Sequence, residues 1–311
     1  MLDEAAHIGA TVADARLAAA DSAFEAEVIV VDDGSTDGSG EAAAAAGARV
    51  VSQRNRGRLE ARRSGLHAAA GEYVLLLDSR VRIHPGALAF VAAHLDEGRV
   101  WNAHVEIDSE GNAYARFWDV VAALAFARYF DEPRTTSFGP DDFDAFPKGT
   151  TCFFAPRALL AEAYEACASR YADPRHANDD TPLIRWLASR ERIWISPQFG
   201  CTYRARTSLS AFVRHAFHRG IVFLDGHGRR ESRYRPVVFA FYPLSVLSVG
   251  LAVVWWPVVP TLAVLLFAAA ASAALAKRRP LPDVVAFAAL APVYAVAHGL
   301  GMWRALALPR R

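Results

Sequence analysis

Two patterns divide the chain. Up to about residue 208 short apolar runs alternate with polar turns and Ala-rich stretches, while beyond Pro236 apolar positions are nearly continuous. Val28, Ile29, Val30 and Val31 form a β-branched run that stops at Asp32, Asp33, Gly34 and Ser35. This is the pattern of a buried parallel strand with carboxylates at its C-terminal end, the edge at which open α/β sheets bind ligands. The following turn places Asp37 or Ser39 to cap a helix over 41–46. A first helix is expected to run to about Ala20, and further strands over 49–51 and 72–77, the latter ending on Asp78, Ser79 and Arg80. His84, Pro85 and Gly86 open another helix. Strands are predicted over 100–107 and 114–117 around a Ser-Glu-Gly-Asn turn, then a helix over 118–129. Residues 133–148, polar and rich in Gly, Pro and Asp, read as a mobile loop whose Asp141, Asp142 and Asp144 are exposed acids, a second metal site being the alternative. A strand within 149–157, a helix from Thr181 and two edge strands over 193–196 and 200–203 complete this part.

The later pattern is different. Leu209, Phe212, Val213, Ala216, Phe217, Gly220, Ile221 and Leu224 recur at helical spacing, with Arg214, His215, His218 and Arg219 on or beside the other face. Such a helix suits a membrane interface. Residues 237–256, 258–276 and 284–303 are three nearly uncharged runs. A helix of ~20 residues at ~1.5 Å each spans the ~30 Å hydrocarbon core of a bilayer. Arg229, Arg230 and Arg233 before the first run and Lys277, Arg278 and Arg279 after the second place both ends on the cytoplasmic side. The third run, followed by Arg310 and Arg311, reads as spanning, re-entrant or interfacial. A soluble core hairpin is the alternative for the first two. The expected organisation is a cytosolic α/β domain over 1–208, an amphipathic helix and basic linker over 209–235, and membrane helices over 236–311.

Composition narrows the class. The apolar fraction of 53% is concentrated in the last part, and a net charge of +1 argues against a general nucleic-acid binder. Cys152, Cys167 and Cys201 lack metal-ligand spacing and read as reduced core residues. The first nine residues contain no apolar leader segment.

The string Glu27 to Ser39, read EVIVVDDGSTDGS, resembles the nucleotide-binding motif of the family 2 glycosyltransferases, inverting enzymes with the GT-A fold, and the resemblance continues to about Gly220. It implies a mixed, Rossmann-like sheet flanked by helices, with Asp32, Asp33 and Ser35 holding the nucleoside of a nucleotide-sugar. The segment from Asp3 matches the family's first helix, which normally follows a strand absent here: either the given chain starts downstream of it, or the sheet has lost an edge. Residues 53–65 resemble the Asn-x-Gly loop and the helix beside the diphosphate. Arg58 and Arg62, four apart on one helical face, are the arginines expected to meet phosphate there. Residues 78–80 stand where the family carries Asp-x-Asp, whose acids bind a divalent cation, Mg²⁺ or Mn²⁺. Asp78 is present, and Arg80 replaces the second acid. One carboxylate with substrate phosphates and water suffices for Mg²⁺ in principle; alternatively Arg80 takes over part of the cation's work, or is merely paired to a neighbouring acid.

Asp179 and Asp180 resemble the family's Glu-Asp motif, which implies Asp180 as the catalytic base and Asp179 as the residue that positions the acceptor or the helix N-terminus; the plainer reading is that both cap the helix at Thr181. Residues 215–219 do not match the Gln-x-x-Arg-Trp of processive members, although Arg214, His218 or Arg219 remains a candidate diphosphate contact. The resemblance implies a multi-pass inner-membrane transferase with its catalytic domain in the cytoplasm. It would move a sugar from a nucleotide-sugar to a lipid-linked or membrane-proximal glycan acceptor in cell-surface polysaccharide or glycolipid synthesis. The rival readings are a catalytically impaired GT-A-like membrane partner and a soluble nucleotidyltransferase.

Overall fold

A computed structural model describes residues 1–310. They form two compact units, the first comprising Met1–Glu106, Arg128–Ser169 and Asp173–Arg204, the second Ile107–Ala127, Arg170–Ala172 and the chain from Ala205 on.

In chain order the elements are α1 (Ala5–Ala20), β1 (Ile29–Asp32), α2 (Ser39–Ala45), β2 (Arg49–Ser52), α3 (Arg58–Ala68), β3 (Tyr73–Leu77), β4 (Val81–Ile83), α4 (Ala87–Ala93), β5 (Trp101–Ile107), α5 (Ala113–Ala125), α6 (Ala127–Phe130), β6 (Thr136–Phe138), β7 (Cys152–Pro156), α7 (Arg157–Ala166), α8 (Thr181–Ala188), β8 (Ile193–Tyr203), α9 (Leu209–His227), α10 (Arg235–Val254), α11 (Val258–Ala276) and α12 (Leu281–Leu306).

The first unit is a mixed α/β domain of the GT-A kind. β1 and β2 pair in parallel, Val30 opposite Val50, and a second sheet runs β3-β7-β5-β8-β4 with β6 beside β8. Period-two alternation sorts the second sheet's side chains to two cores. Leu76 and Phe153 join Phe138, Leu160, Ile184 and Leu187 on one face. Leu75, Leu77, Cys152 and Phe154 join Trp101, Val91 and Phe199 on the other. The main-chain N–H of Asp78 is held by the Thr151 carbonyl at 2.9 Å, which fixes the acid as β3 ends.

Three local expectations are corrected here. Residues 133–148 are packed, not mobile: β6 pairs with β8, and Phe138, Phe143 and Phe146 are buried, each burial contributing ~1.5–3 kcal/mol. Asp144 is likewise buried and pairs with Arg185 at 3.0 Å. The two supposed edge strands are one continuous β8 inside the sheet, and the short β4, absent from the sequence reading, pairs with its end through Arg82 and Thr202.

The second unit contains the third correction. Residues 114–117 are helical, because the Asn112 side chain caps α5 by accepting the N–H groups of Tyr114 at 3.0 Å and Ala115 at 3.2 Å. The apolar stripe of α5 is covered within this unit: Phe117 meets Phe212, Phe287 and Tyr294. Asp283 in the first turn of α12 is buried and accepts from Arg116 at 2.7 Å and Arg279 at 3.0 Å, so its charge is compensated. The three-residue piece Arg170–Ala172 is bound in the same way. Fully buried Asp225 of α9 accepts the Arg170 N–H at 3.0 Å, and the Ala172 N–H reaches the Pro309 carbonyl at 3.0 Å.

α10, α11 and α12 are long and apolar enough to cross a membrane, with mean hydropathies of 2.3, 2.2 and 1.7. Among their exposed side chains are Val246, Leu247, Val253, Val254, Val264 and Leu265, apolar exposure of the kind that lipid covers. α12 is the most buried of the three, 39% of its most apolar stretch against 6% and 11%. Along it α9 packs at glycine contacts: a Cβ on Gly220 would lie 2.0 Å from the His298 carbonyl oxygen, and one on Gly301 2.0 Å from that of Phe217.

Gly301→Ala should therefore force α9 and α12 apart and cost about 1–3 kcal/mol, the usual range for overpacking. Thermal unfolding in detergent would show a lowered midpoint. Gly250→Ala, with nothing within 4 Å of the added carbon, is the matched control and should leave it unchanged.

Candidate active site

The two acids that end β1 do different work. Asp32 Oδ1 accepts the Ser35 N–H at 2.9 Å and closes the turn, while the Ser35 hydroxyl accepts the Asp3 N–H at 3.1 Å. Asp33, only 4% exposed, accepts from the Gln53 side chain at 2.6 Å and from the N–H groups of Arg56 at 2.9 Å and Gly57 at 2.8 Å. Three donors on one carboxylate pin the loop between β2 and α3. Gly57 completes that loop at φ 88°, and a Cβ there would come within 2.7 Å of Arg175 Cα. Met1 lies along β1, donating its amino group to Val31 O at 2.6 Å and accepting the Asp33 N–H at 2.9 Å.

α3 then carries Arg58 and Arg62 one turn apart toward the same acid. Arg62 is largely buried and stands between two carboxylates: its Nη2 meets Asp78 Oδ1 at 2.7 Å, and its Nη1 donates to Asp179 Oδ2. Nη2 also reaches the Thr150 carbonyl at 3.3 Å. Arg58 Nη2 meets Asp179 Oδ1 at 3.2 Å, with more than half of its side chain in solvent. Burial opposes the Arg62 charge, but the Asp179 and Asp78 carboxylates outweigh it and raise the guanidinium above the ordinary arginine value. Asp179 raises Arg58 in the same direction. Beside them the Tyr164 hydroxyl is buried without a hydrogen-bond partner among the described residues, and burial pushes its pKa up.

Adjacent Asp179 and Asp180 part in the same manner as the pair on β1. Asp179 is 4% exposed and serves the arginines. Asp180 caps α8: its Oδ1 takes the Thr181 N–H and the Thr181 hydroxyl, the latter at 3.0 Å. Its Oδ2 has no hydrogen-bond partner among the described residues. Asn178 supports the turn by accepting the N–H groups of Asp180 at 3.3 Å and Thr181 at 2.9 Å.

Arg80 lies elsewhere, its Nε on Glu4 Oε1 at 2.8 Å. Arg214 and Arg219 belong to the second unit, where Arg214 donates to Ser210 at 3.1 Å and Arg219 lies over the Trp118 ring at 4.9 Å. Sequence reading did not single out Gln53, Thr150, Tyr164 or Asn178. Of these only Asn178, an Asx residue three positions before a helix start, carried a local signal.

Arginines and acids thus converge from the start of α3, the end of β3 and the entry to α8, within a GT-A-like domain. The family model for Glycosyl transferase family 2 matches residues 2–165. The chain belongs to this glycosyltransferase family. Solved structures similar to the transferase include one described as a mycobacterial protein, 22% identical with a TM-score of 0.45, covering 72% of this chain and 71% of that one. Glucosyl-3-phosphoglycerate synthase from Mycobacterium tuberculosis, in complex with Mn²⁺ and UDP-glucose, is 21% identical with a TM-score of 0.45, covering 72% of this chain and 75% of that one. S. aureus TarS is 20% identical with a TM-score of 0.47 over 73% of this chain, which spans only 39% of TarS. No curated protein matches the transferase.

The residues present do not fit a protein-built divalent metal site. Asp78 is already ion-paired to Arg62, the next acid, Asp179, is bound to the same guanidinium, and Arg80 stands where a second acid was expected. Among the described residues no three His, Cys, Asp or Glu side chains cluster as metal ligands. Two like unit charges 4 Å apart repel by ~4 kcal/mol at an effective dielectric of 20, and a dication doubles that. A metal on Asp78 would meet that opposition from Arg62.

Asp33→Asn replaces an acceptor oxygen with a second donor facing N–H groups. It should destabilise the transferase by about 1–3 kcal/mol in denaturant titration. Nucleotide affinity should fall with it, since the 53–57 loop would lose its anchor.

Proposed function

We propose that the transferase is a membrane-bound inverting enzyme that moves a sugar from a nucleotide-sugar to a lipid-linked or membrane-proximal glycan acceptor. The observation that carries the reading is the convergence of Arg58, Arg62, Asp78 and Asp179 in one ion-paired cluster, with Asp180 next in the chain capping α8. On this reading the nucleoside lies at the end of β1, against Asp32 and Ser35, with the loop anchored by Asp33 beneath it. The donor's diphosphate faces the arginines of α3.

Asp180 is the base. Its Oδ1 is held by the helix cap, which leaves Oδ2 to accept the proton of an acceptor hydroxyl. The acceptor oxygen bonds to the anomeric carbon as the bond from that carbon to the diphosphate breaks, and the electron pair leaves with the diphosphate. Arginine charge opposes the charge that accumulates there. Asp179 holds the two guanidinium groups in place. An acceptor that is itself a phosphate would arrive ionised and need no proton removed. Arg214 and Arg219 of α9 would then serve charged headgroups or the donor diphosphate.

The apolar helices support an integral-membrane enzyme of the cell envelope. The basic residues at 229–233 precede α10 and those at 277–279 follow α11, which under the charge rule supports a cytoplasmic side for those ends and for the catalytic domain. The domain organisation proposed is a catalytic part over 1–208, an amphipathic segment over 209–235 and membrane helices beyond, with 107–127 folding alongside the helices. One observation favours a catalytically impaired partner: Arg80 stands in place of an acid and is tied to Glu4.

Purified protein in lipid, given a panel of nucleotide-sugars and a membrane lipid extract, should release nucleoside diphosphate in a lipid-dependent way. Asp180→Asn should slow release about 10²- to 10⁴-fold, the usual contribution of a general base. Nucleotide binding without release from any donor would establish the impaired partner instead.

A further inference from the structure

We infer that Arg62 is the transferase's built-in replacement for a divalent cation, and that the enzyme holds its nucleoside diphosphate without metal. The inference rests on the nucleotide-site reading above. Arg62, Arg58, Asp78 and Asp179 form a quartet of two positive and two negative side chains, hence neutral as a group. A metal site is built the other way, with acids in excess until the cation arrives. Here the acids are matched beforehand by guanidinium groups.

The guanidinium also has the placement that such a role needs. It sits against the strand-terminal acid Asp78 and is fixed by a third contact to the Thr150 carbonyl, so its position does not depend on one partner. It remains charged at any working pH, since both carboxylates raise its pKa further. Arg58 is the movable member: it holds Asp179 through one contact and has more than half of its side chain in solvent. An arriving diphosphate can take Arg58 from Asp179 while Arg62 keeps its contacts to both acids. Planar guanidinium groups bind phosphate oxygens through paired N–H donors, which a spherical ion does not offer. Arg80 does not fill this role, because Glu4 holds it.

The test uses the full chain in lipid nanodiscs and the nucleoside diphosphates UDP, GDP, dTDP, ADP and CDP as probes, with affinity measured calorimetrically in excess EDTA and again in Mn²⁺. The expected result is that the nucleotide that binds does so equally in both buffers. The variant Arg62→Gln, which strips Asp78 of its ion pair while Arg58 still holds Asp179, should bind at least about tenfold more weakly in EDTA and recover with Mn²⁺. Arg62→Gln/Asp179→Asn keeps the charge balance should the single variant not fold, and it should lose affinity by the same factor in EDTA. Binding by the wild type only with Mn²⁺ would overturn the inference and leave the nucleotide-site reading standing. So would full affinity of the Arg62 variants in EDTA. Absence of binding in either buffer would remove the nucleotide site itself, and the inference with it.

Discussion

The first unit depends on one guanidinium held between two acids. Arg62 and Asp78 are 16 positions apart, and Arg62 and Asp179 are 117 apart. A single side chain therefore ties α3 to the end of β3 and to the entry of α8. Ion pairs of this kind are costly to bury and costly to break, because removal of either partner strands the other's charge. At this place the cost has a return in geometry: three segments that the sheet delivers only approximately are brought to hydrogen-bond distance of one group.

Asp33 does the same with neutral donors. Its carboxylate gathers Gln53 and two main-chain N–H groups, so the start of α3, and with it the reach of Arg58 and Arg62, follows from an acid at the end of β1. In each adjacent acid pair, Asp32–Asp33 and Asp179–Asp180, the more buried member organises the neighbourhood. The more accessible one closes a turn or a cap and keeps lone pairs to spare.

Much of this was legible in the chain itself. Apolar runs that stop at acids marked β1 and β3, and the four-residue spacing of Arg58 and Arg62 predicted their shared face. What local pattern could not supply was the partner of a charge. Whether Arg80 faces phosphate, solvent or an acid depends on Glu4, 76 positions earlier. Which of Asp179 and Asp180 caps α8 depends on α3. Residues 114–117 are helical through a local signal, the Asn112 cap, but what covers that helix lies far along the chain. The apolar stripe of α5 has its partners on α9 and α12, and Arg116 has its acid 167 positions away.

The membership of α5 in the helical unit bears on how the catalytic part can be handled as a separate protein. A chain cut after residue 208 would keep α5 but lose every helix that covers Phe117, Val120 and Val121. Arg116 and Asp119 would lose their partners as well. Such a fragment would carry a bare apolar helix into water and would aggregate or require detergent. The two units interleave along the chain, and no single cut in the sequence separates them.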